Sequence, residues 1–207
     1  RSSFAKTIVD KNSAVYSHLE KIEASSRRVG ELVKQLLTFA QSGNYLMDKA
    51  DLNKIVQFFF FSNKPKIREN INFNLFLSDQ NPQVICNRDQ ILVVFDKLFT
   101  NCIEAISEKG NITIKTELVN IEKPLVYSNQ KLEVGVYGVI SFIDDGCGIR
   151  EDVKNRFFEP FNTTKEYGRG LGLPSVYGII ISHNGFINIQ SEINKGTTVE
   201  VYLPIAK

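Results

Sequence analysis

Three short segments of the sequence carry residues that could bind one ligand. Asn101 lies in an otherwise apolar helical pattern, and its amide oxygen is a hard neutral ligand that suits Mg²⁺. Asp144 follows an apolar strand pattern and precedes Gly146 and Gly148. A carboxylate at a strand end can accept a hydrogen bond from an amino group such as adenine N6, and glycines let the backbone approach a flat ring. The glycine-rich residues 168–172 lead into a helix and can offer backbone N–H groups to phosphates.

Each of these segments alone also has an ordinary structural interpretation. A single asparagine on a helix is more often a cap or a surface residue. An Asp-Gly pair after a strand is more often a turn. The glycine-rich stretch has neither the P-loop spacing nor the dinucleotide-binding spacing. The segments therefore predict a nucleotide site only in combination.

The first part of the chain, up to about residue 40, predicts one long helix. Its apolar residues recur at alternating steps of four and three, as in a helical hairpin or coiled coil. Asn12 or Ser13 can cap its start, and residues 42–44 end it. Because one helix cannot bury this seam alone, we expect a partner helix, either from residues before Arg1 or from a second copy of the chain. The seam consists of Val15, Leu19, Ile22, Ser26, Val29, Val33, Leu36 and Ala40.

From about residue 51 the patterns predict an α+β domain. Helical spacing covers residues 51–61, 88–107 and 174–182. Strand patterns cover residues 71–77, 112–118, 134–143, 186–191 and 197–203. The polar residues 121–130 are predicted to be a long connection between two strands.

Composition excludes several classes of protein. The chain has 207 residues, with 25 Lys and Arg against 23 Asp and Glu, so its formal net charge is +2. This balance gives no electrostatic case for nucleic acid or an anionic membrane as partner. The longest apolar run, Phe58–Phe61, is far too short to span a bilayer. Three cysteines without metal-ligand spacing favour a reducing compartment, hence a cytoplasmic location, although an intact protein could still be membrane-anchored.

Taken together and in this order, the three segments resemble the nucleotide-binding boxes of sensor histidine kinases. Residues 158–165 (Phe-Glu-Pro-Phe-Asn-Thr-Thr-Lys) resemble the F box of that family. Residues 196–204 resemble its closing strand, and residues 32–40 resemble the second helix of its dimerisation hairpin. The resemblance covers nearly the whole chain.

The resemblance implies a Bergerat-type α/β sandwich, in which a mixed sheet carries helices on one face, preceded by a long dimerisation helix. It implies that residues 1–46 are the C-terminal part of the dimerisation and phosphoacceptor hairpin, and that residues 47–207 are a catalytic ATP-binding domain. The implied partners are ATP, a second copy bound through the N-terminal helix in the intact protein, and the receiver domain of a response regulator.

The resemblance also assigns roles to individual residues. Asn101 would hold Mg²⁺ and serve catalysis, Asp144 would bind the adenine amino group, and Gly146 and Gly148 would flank the base. Phe158 and Phe161 would pack the lid. Further contacts with the nucleotide are implied at Ile149, Thr163, Thr164, Lys165, Gly168, Arg169, Gly170, Leu171, Gly172 and Leu173.

One departure from the family bears on catalysis. Four residues before Asn101 the family commonly carries an asparagine or an acid, whereas this chain carries Lys97. Two alternatives to a competent kinase therefore stay open. The first is another Bergerat-fold ATPase, such as the gyrase type, although that type uses a glutamate where Lys97 stands. The second is a catalytically weak nucleotide-binding signalling module.

Neither of the two histidines has the context of a phosphoacceptor. In the family the acceptor histidine is followed by an acid, but His18 is followed by Leu19. His183 is predicted to cap the C-terminus of a helix, where a cationic imidazole would favour the helix dipole. We therefore expect the acceptor histidine to lie before Arg1, and this fragment to bind ATP without phosphorylating itself.

Cys147 lies between two glycines of the proposed adenine site. A thiol there could be alkylated next to the nucleotide. A buried, inert thiol is the interpretation that we favour from sequence.

Overall fold

The computed structural model describes residues 9, 13–22, 25, 46–127, 130–151 and 172–206. The chain divides into two compact units, residues 1–41 and residues 42–207. In the first unit residues 14–22 are helical. The Ser13 hydroxyl accepts a hydrogen bond from the Tyr16 backbone N–H at 3.1 Å, so Ser13 caps this helix as predicted. Most of the predicted long helix lies outside the described residues, and its length stays a prediction.

The described part of the second unit contains nine strands and three helices of α type. The strands are β1 (Asp48–Asp51), β2 (Ile71–Phe76), β3 (Gln83–Cys86), β4 (Gly110–Ile121), β5 (Leu125–Tyr127), β6 (Gln130–Leu132), β7 (Gly135–Asp144), β8 (Phe186–Glu192) and β9 (Gly196–Pro204). The helices are α1 (Leu52–Asn63), α2 (Arg88–Ala105) and α3 (Gly172–Ser182), and a 3₁₀ turn spans Lys64–Lys66.

Five strands form the main sheet, in the order β2-β4-β7-β9-β8. The β2–β4 pair is parallel and the other pairs are antiparallel, so the sheet is mixed, as predicted. Inward-facing side chains of β4, β7, β8 and β9 form one apolar core with all three helices. The Bergerat-type sandwich with its helices on one face is thereby confirmed.

Helix α1 begins where Asp51 can cap it. The Asp51 carboxylate accepts a hydrogen bond from the Lys54 backbone N–H at 3.1 Å. Pro65 follows the helix and cannot donate a helical hydrogen bond, which favours the change to a 3₁₀ turn. The buried residues lie at helical spacing and face the core: Leu52, Asn53, Ile55, Val56, Phe59 and Phe60.

Helix α2 begins at an asparagine cap, since Asn87 Oδ1 accepts a hydrogen bond from the Gln90 backbone N–H at 3.1 Å. Its buried stripe extends from Ile91 to Cys102. Phe95 packs at 5.5 Å, between ring centroids, from Phe142 of β7. This packing holds α2 against β7, the strand that carries the second predicted segment at its end.

The other face of the sheet carries a second, smaller apolar cluster of Ile121, Leu132, Val139, Phe186 and Tyr202. The predicted connection 121–130 is wrong in part, because residues 125–127 and 130–132 pair as β5 and β6. The Gln130 side chain accepts a hydrogen bond from the Ile187 N–H at 3.2 Å and donates one to the Ile187 carbonyl at 3.3 Å. The hairpin is thereby held against the edge strand β8.

Two further short strands were not predicted. β1 and β3 pair antiparallel, in a register that joins Asp48 to Cys86 and Asp51 to Gln83. Each has four residues, which is too short for an alternating pattern to stand out in the sequence. Among the described helices none is long and apolar enough to span a bilayer.

Candidate functional site

Asp144 is the last residue of β7, and the strand's own pattern turns its side chain inward. Ile140 and Phe142 lie on the same face at the preceding alternate positions, and both are fully buried in the core. Asp144 continues that face where the apolar residues end, and only 6% of it is exposed. A carboxylate therefore stands at the end of an otherwise apolar face, which is where a site for a polar group on an apolar ligand would be expected.

Three donors surround the Asp144 carboxylate. Oδ1 accepts a hydrogen bond from the Gly146 backbone N–H at 2.9 Å. The carboxylate also accepts hydrogen bonds from the Cys102 thiol and from the Thr197 backbone N–H. Burial raises the pKa of Asp144, while these hydrogen bonds act against that rise. Burial, together with the nearby Asp144 charge, raises the pKa of the Cys102 thiol well above its usual value, so Cys102 stays a donor.

The turn after Asp144 lies directly on helix α2. The Cys147 backbone N–H donates to the Ala105 carbonyl at 3.0 Å. A side chain at Gly146 would place its Cβ 2.6 Å from Ala105 Cβ, so only glycine fits this contact. Asn101 lies one turn earlier on α2 and is half-buried. The structure therefore brings the Asn101 segment and the Asp144 segment together.

The same turn is also attached to the β8–β9 hairpin. The Asn194 N–H donates to the Cys147 carbonyl at 2.9 Å, and the Ile149 N–H donates to Ser191 Oγ at 2.9 Å. Gly148 has a φ of +68°, a conformation that favours glycine, and a Cβ there would collide with the Glu192 carbonyl. The predicted glycines at 146 and 148 are thus required by the fold of the turn.

Cys147 is exposed, so the prediction of a buried thiol is wrong. The physical reason is the docking of its backbone. With its N–H on Ala105 and its carbonyl on Asn194, the residue is held from both sides by its main chain, and its side chain is left toward solvent. Its Sγ lies 3.5 Å from the Gly148 carbonyl oxygen.

The remaining predicted residues divide into two groups. Gly172 and Leu173 open the described part of α3, which packs against α2. A Cβ at Gly172 would meet no heavy atom within 4 Å. The other predicted nucleotide contacts lie outside the described residues: Phe158, Phe161, Thr163, Thr164, Lys165, Gly168, Arg169, Gly170 and Leu171.

Lys97 lies on the partly exposed side of α2, and its ammonium is 4.0 Å from the Asp96 carboxylate. Both side chains are well solvated, with 41% and 60% of them exposed. An ion pair of this kind contributes little to stability.

Sequence reasoning missed residues of β8 and β9 at the site. Thr197 lies opposite Asp144 in the β7–β9 register and donates its backbone N–H to that carboxylate. Its hydroxyl is 2.9 Å from the Ser191 hydroxyl, and Ser191 in turn donates to the Gly196 carbonyl at 3.0 Å. The signal available in the sequence was the Gly-Thr-Thr start of the closing strand. Asp144 and Thr197 also line a cavity of about 370 Å³ at these strand ends.

His183 is a structural residue, but its cap differs from the predicted one. It is buried, with Nδ1 2.7 Å from the Ile179 carbonyl, while Nε2 accepts a hydrogen bond from the Asn87 backbone N–H at 3.0 Å. Because Nε2 accepts, the ring is neutral, and burial lowers its pKa. The cap works through a hydrogen bond and not through a charge on the helix dipole.

Fold and site together define a class of nucleotide-binding ATPase domain. Residues 86–207 match the family of histidine kinase-, DNA gyrase B-, and HSP90-like ATPases, and the chain belongs to that family. Within it, the relatives of this chain include many sensor histidine kinases, so residues 86–207 form a catalytic ATP-binding domain of the histidine kinase type.

Individual relatives agree with this assignment. The chain is 31% identical over 191 residues to the sensor kinase CckA of Brucella abortus, an alignment that covers 91% of this chain and 20% of that protein. The crystal structure of the nucleotide-free catalytic domain of histidine kinase ThkA is similar, with 29% identity and a TM-score of 0.62 over 77% of this chain and 95% of that one. Histidine kinase ThkA in complex with response regulator TrrA has 25% identity and a TM-score of 0.65, over 97% of this chain and 54% of that one.

The chain spans between 20% and 36% of the length of the curated relatives that it matches. The similarity therefore describes a part of those proteins.

Proposed function

We propose that this chain binds ATP at the end of β7 and transfers the γ-phosphoryl group of ATP to a histidine on a dimerisation helix. From that histidine the group would pass to a response regulator. The observation that supports this most directly is the buried Asp144 carboxylate, held by three donors at the end of an apolar face. The regulator partner is proposed because histidine kinase ThkA forms such a complex.

The carboxylate suits an adenine base. Asp144 accepts hydrogen bonds through part of its lone pairs and can accept one more from the exocyclic amino group of adenine. Gly146 and Gly148 have no side chains, so the turn beside Asp144 leaves room for a flat base. Ile149 contributes an apolar side chain that packs on the core. A purine with an oxygen in place of the amino group would place that oxygen, an acceptor, against the Asp144 carboxylate, which is also an acceptor.

Asn101 is proposed as the protein ligand of Mg²⁺. Among the described residues no three His, Cys, Asp or Glu side chains form a group that could hold a metal ion. A single amide oxygen fits an ion that arrives on the phosphates and keeps most of its oxygen ligands from them and from water. Bound there, the ion would neutralise charge that develops on the transferred phosphoryl group.

The other steps would be performed by residues of the chain itself. Backbone N–H groups of the glycine-rich residues 168–172, which precede α3 in the sequence and include its first residue, would bind the phosphates. The F box residues Phe158 and Phe161 would exclude water from the phosphates. The attacking imidazole would come from the dimerisation helix, so this domain need not supply a general base.

Neither histidine of this chain is proposed as the acceptor. His183 is excluded by burial and by the partners of both ring nitrogens. His18 is exposed on its helix, but Leu19 follows it where the family has an acid.

The metal proposal is tested by calorimetric titration of ATP in the presence and absence of Mg²⁺. We expect Asn101→Ala to remove the Mg²⁺-dependent part of the affinity and to leave the metal-free affinity nearly unchanged. Thr100→Ala, on the exposed side of the same helix, is the matched control. An equal loss of affinity in both conditions would mean that Asn101 shapes the pocket and does not hold the ion.

The acceptor proposal is tested with γ-labelled ATP. We expect no acid-labile, alkali-stable phosphate on the 207-residue chain. Label mapped to His18 would show instead that this residue is the acceptor.

A catalytically weak binding module is the second candidate, and Lys97 favours it, because the chain carries a cation where the family carries a metal-facing polar group. Lys97→Asn is expected to strengthen Mg²⁺-dependent binding. An unchanged affinity would remove the reason for this candidate.

A further inference from the structure

The residue after the adenine-facing carboxylate makes a two-pronged contact with the neighbouring strand. Asp145 Oδ1 accepts a hydrogen bond from the Asn111 backbone N–H at 2.7 Å, and Asp145 Oδ2 accepts one from the Asn111 side-chain amide at 2.6 Å. The Asp145 N–H donates to the Asn111 carbonyl at 3.4 Å. Each backbone polar group of Asn111 thus meets Asp145.

The contact extends across β4 to the parallel edge strand. Asn111 Oδ1 accepts a hydrogen bond from Asn72 of β2 at 3.0 Å, which orients the Asn111 amide so that its donor points to Asp145. The space for the carboxylate depends on Gly110, since a Cβ there would lie 2.5 Å from Asp145 Oδ1. The hydrogen bonds from Asn111 outweigh the effect of burial and lower the pKa of Asp145.

Asp144 and Asp145 lie on opposite sides of the chain at the end of β7. Asp144 faces the core side and is buried, while Asp145 is exposed. The β7–β9 pairing ends at Asp144 opposite Thr197, and the β4–β7 pairing ends at Asp144 opposite Ile112. Beyond that point the Asn111–Asp145 contact continues the attachment to β4 where the ladder stops. It therefore fixes the backbone from which the Asp144 side chain projects.

We propose that Asn111 and Asp145 are positioning residues for the adenine site: their contact aims the Asp144 carboxylate, and so sets the preference for a purine with an exocyclic amino group. This inference rests on the proposed function, in which Asp144 reads adenine.

The pair is exposed, so its loss removes little burial. Loss of the pair should therefore act on one part of the nucleotide affinity only. Weakening the pair should reduce the part of the affinity that depends on Asp144 and should leave the rest of nucleotide binding unchanged.

The test compares ATP with inosine triphosphate, which carries an oxygen in place of the amino group. Dissociation constants are measured by calorimetry for the native chain and for three variants. Asn111→Asp places a second carboxylate against Asp145. Asp145→Ala removes both acceptors. The double variant Asn111→Asp with Asp145→Asn exchanges donor and acceptor between the two side chains, while the backbone N–H of residue 111 still donates to the side-chain oxygen of residue 145. It therefore restores a two-pronged contact with the same net charge as the native chain.

We expect the native chain to prefer ATP by about tenfold or more, the effect of one hydrogen bond to a charged group. Asn111→Asp and Asp145→Ala should each reduce ATP affinity several-fold and change affinity for inosine triphosphate by less than twofold. The double variant should recover most of the native preference. Asp79→Asn, an exposed carboxylate in a turn, should behave as the native chain.

Thermal melts establish that each variant is folded at the titration temperature. Single variants that keep the native ratio of ATP to inosine triphosphate affinity would overturn the inference, as would a folded double variant that does not recover it. A native chain without any preference would instead refute the assignment of Asp144 to adenine. Failure of the proposed function therefore shows in the native chain, and failure of the positioning role shows only in the variants.

Discussion

At the scale of single residues, the ionised Asp144 carboxylate lowers the stability of the fold, and the proposed contact with adenine would explain why it is kept. Burial raises its pKa above the ordinary value of 3.8. A carboxyl group whose folded-state pKa is raised stabilises the fold below its unfolded pKa, and this contribution is lost as the pH rises through the folded value. At neutral pH the ionised group is therefore retained at some expense of stability, as perturbed carboxylates at binding sites commonly are.

The first prediction concerns the loss of stability that ionisation of Asp144 causes. Relative to Asp144→Asn, the native chain should lose thermal stability as the pH rises above 3.8, because only the native chain has an ionisable carboxyl group at this buried position. Melting temperatures measured in steps from pH 3.5 to about pH 7 check this trend. In the same samples at neutral pH, Asp144→Asn should weaken ATP binding about tenfold or more. Asp79→Asn is the control, and a parallel pH profile for native chain and Asp144→Asn would contradict the prediction.

The second prediction concerns thiol reactivity. Cys86 and Cys102 are buried, and burial raises the pKa of Cys86 to about 11, whereas Cys147 is exposed. A thiol-specific chromogenic reagent should therefore modify one cysteine per native chain quickly and all three only after denaturation. ATP should slow the modification, since Cys147 lies between the glycines proposed to flank the base.

Cys147→Ser provides the control for this assignment, because it should abolish the fast phase. Fast modification of two thiols, or a fast phase that survives in Cys147→Ser, would show that the turn opens or that another cysteine is accessible.

At the scale of elements, α2 organises the site. Its N-terminus is capped by Asn87, whose backbone N–H is itself bound by His183 at the end of α3. Its C-terminal turn receives the Cys147 N–H through the Ala105 carbonyl. One helix thus links the glycine-flanked turn at one end with the terminus of α3 at the other.

The third prediction tests the link between α2 and α3. The pKa of His183 is lowered by burial below its ordinary value of 6.5, so the native chain should be fully stabilised above pH 6.5 and lose stability as the pH falls through the folded-state pKa. His183→Ala should cost about 1–3 kcal/mol in the free energy of unfolding at pH 7.5, because the Asn87 N–H loses its buried acceptor.

Urea titrations at pH 7.5, 6.5 and 5.5 measure both effects. The difference between native chain and His183→Ala should shrink toward pH 5.5. His18→Ala, which alters an exposed residue of the other unit, should change neither value. A difference that grows on acidification would mean that His183 is bound as the cation.

At the scale of the whole molecule, the two units can be separated by experiment. Residues 42–207 contain the complete described sheet, its helices and the candidate site. The apolar seam predicted for residues 15–40 lies in the other unit.

The fourth prediction follows from this division. A chain of residues 42–207 should fold, bind ATP with the affinity of the full chain to within about twofold, and sediment as a monomer. The full chain should sediment as a dimer, because the seam needs a partner helix. Sedimentation equilibrium and calorimetry on both chains provide the measurements. A full chain that sediments as a monomer, like the shorter one, would contradict the role given to the first unit.

Much of this architecture could be predicted because apolar residues recur at helix or strand spacing within single elements. The stripe from Ile91 to Cys102 and the buried run of β7 each show their period within one element. The pair β1–β3 could not be predicted, since four-residue strands carry too little pattern. For the site, the motif around Asp144 was visible, while the contact between Asn111 and Asp145 joins residues 34 positions apart and has no local signal. The exposure of Cys147 depends on backbone contacts with two other elements, which no local pattern encodes.

The contact between the Gln130 side chain of β6 and the backbone of β8 has a consequence for the association of copies of this protein. An edge strand offers unpaired N–H and carbonyl groups on which a foreign strand can add. At Ile187 both groups are already occupied by one glutamine amide, which imitates the strand that would otherwise arrive. The sheet edge is thus closed from within the chain at this point, which opposes the addition of a foreign strand at Ile187.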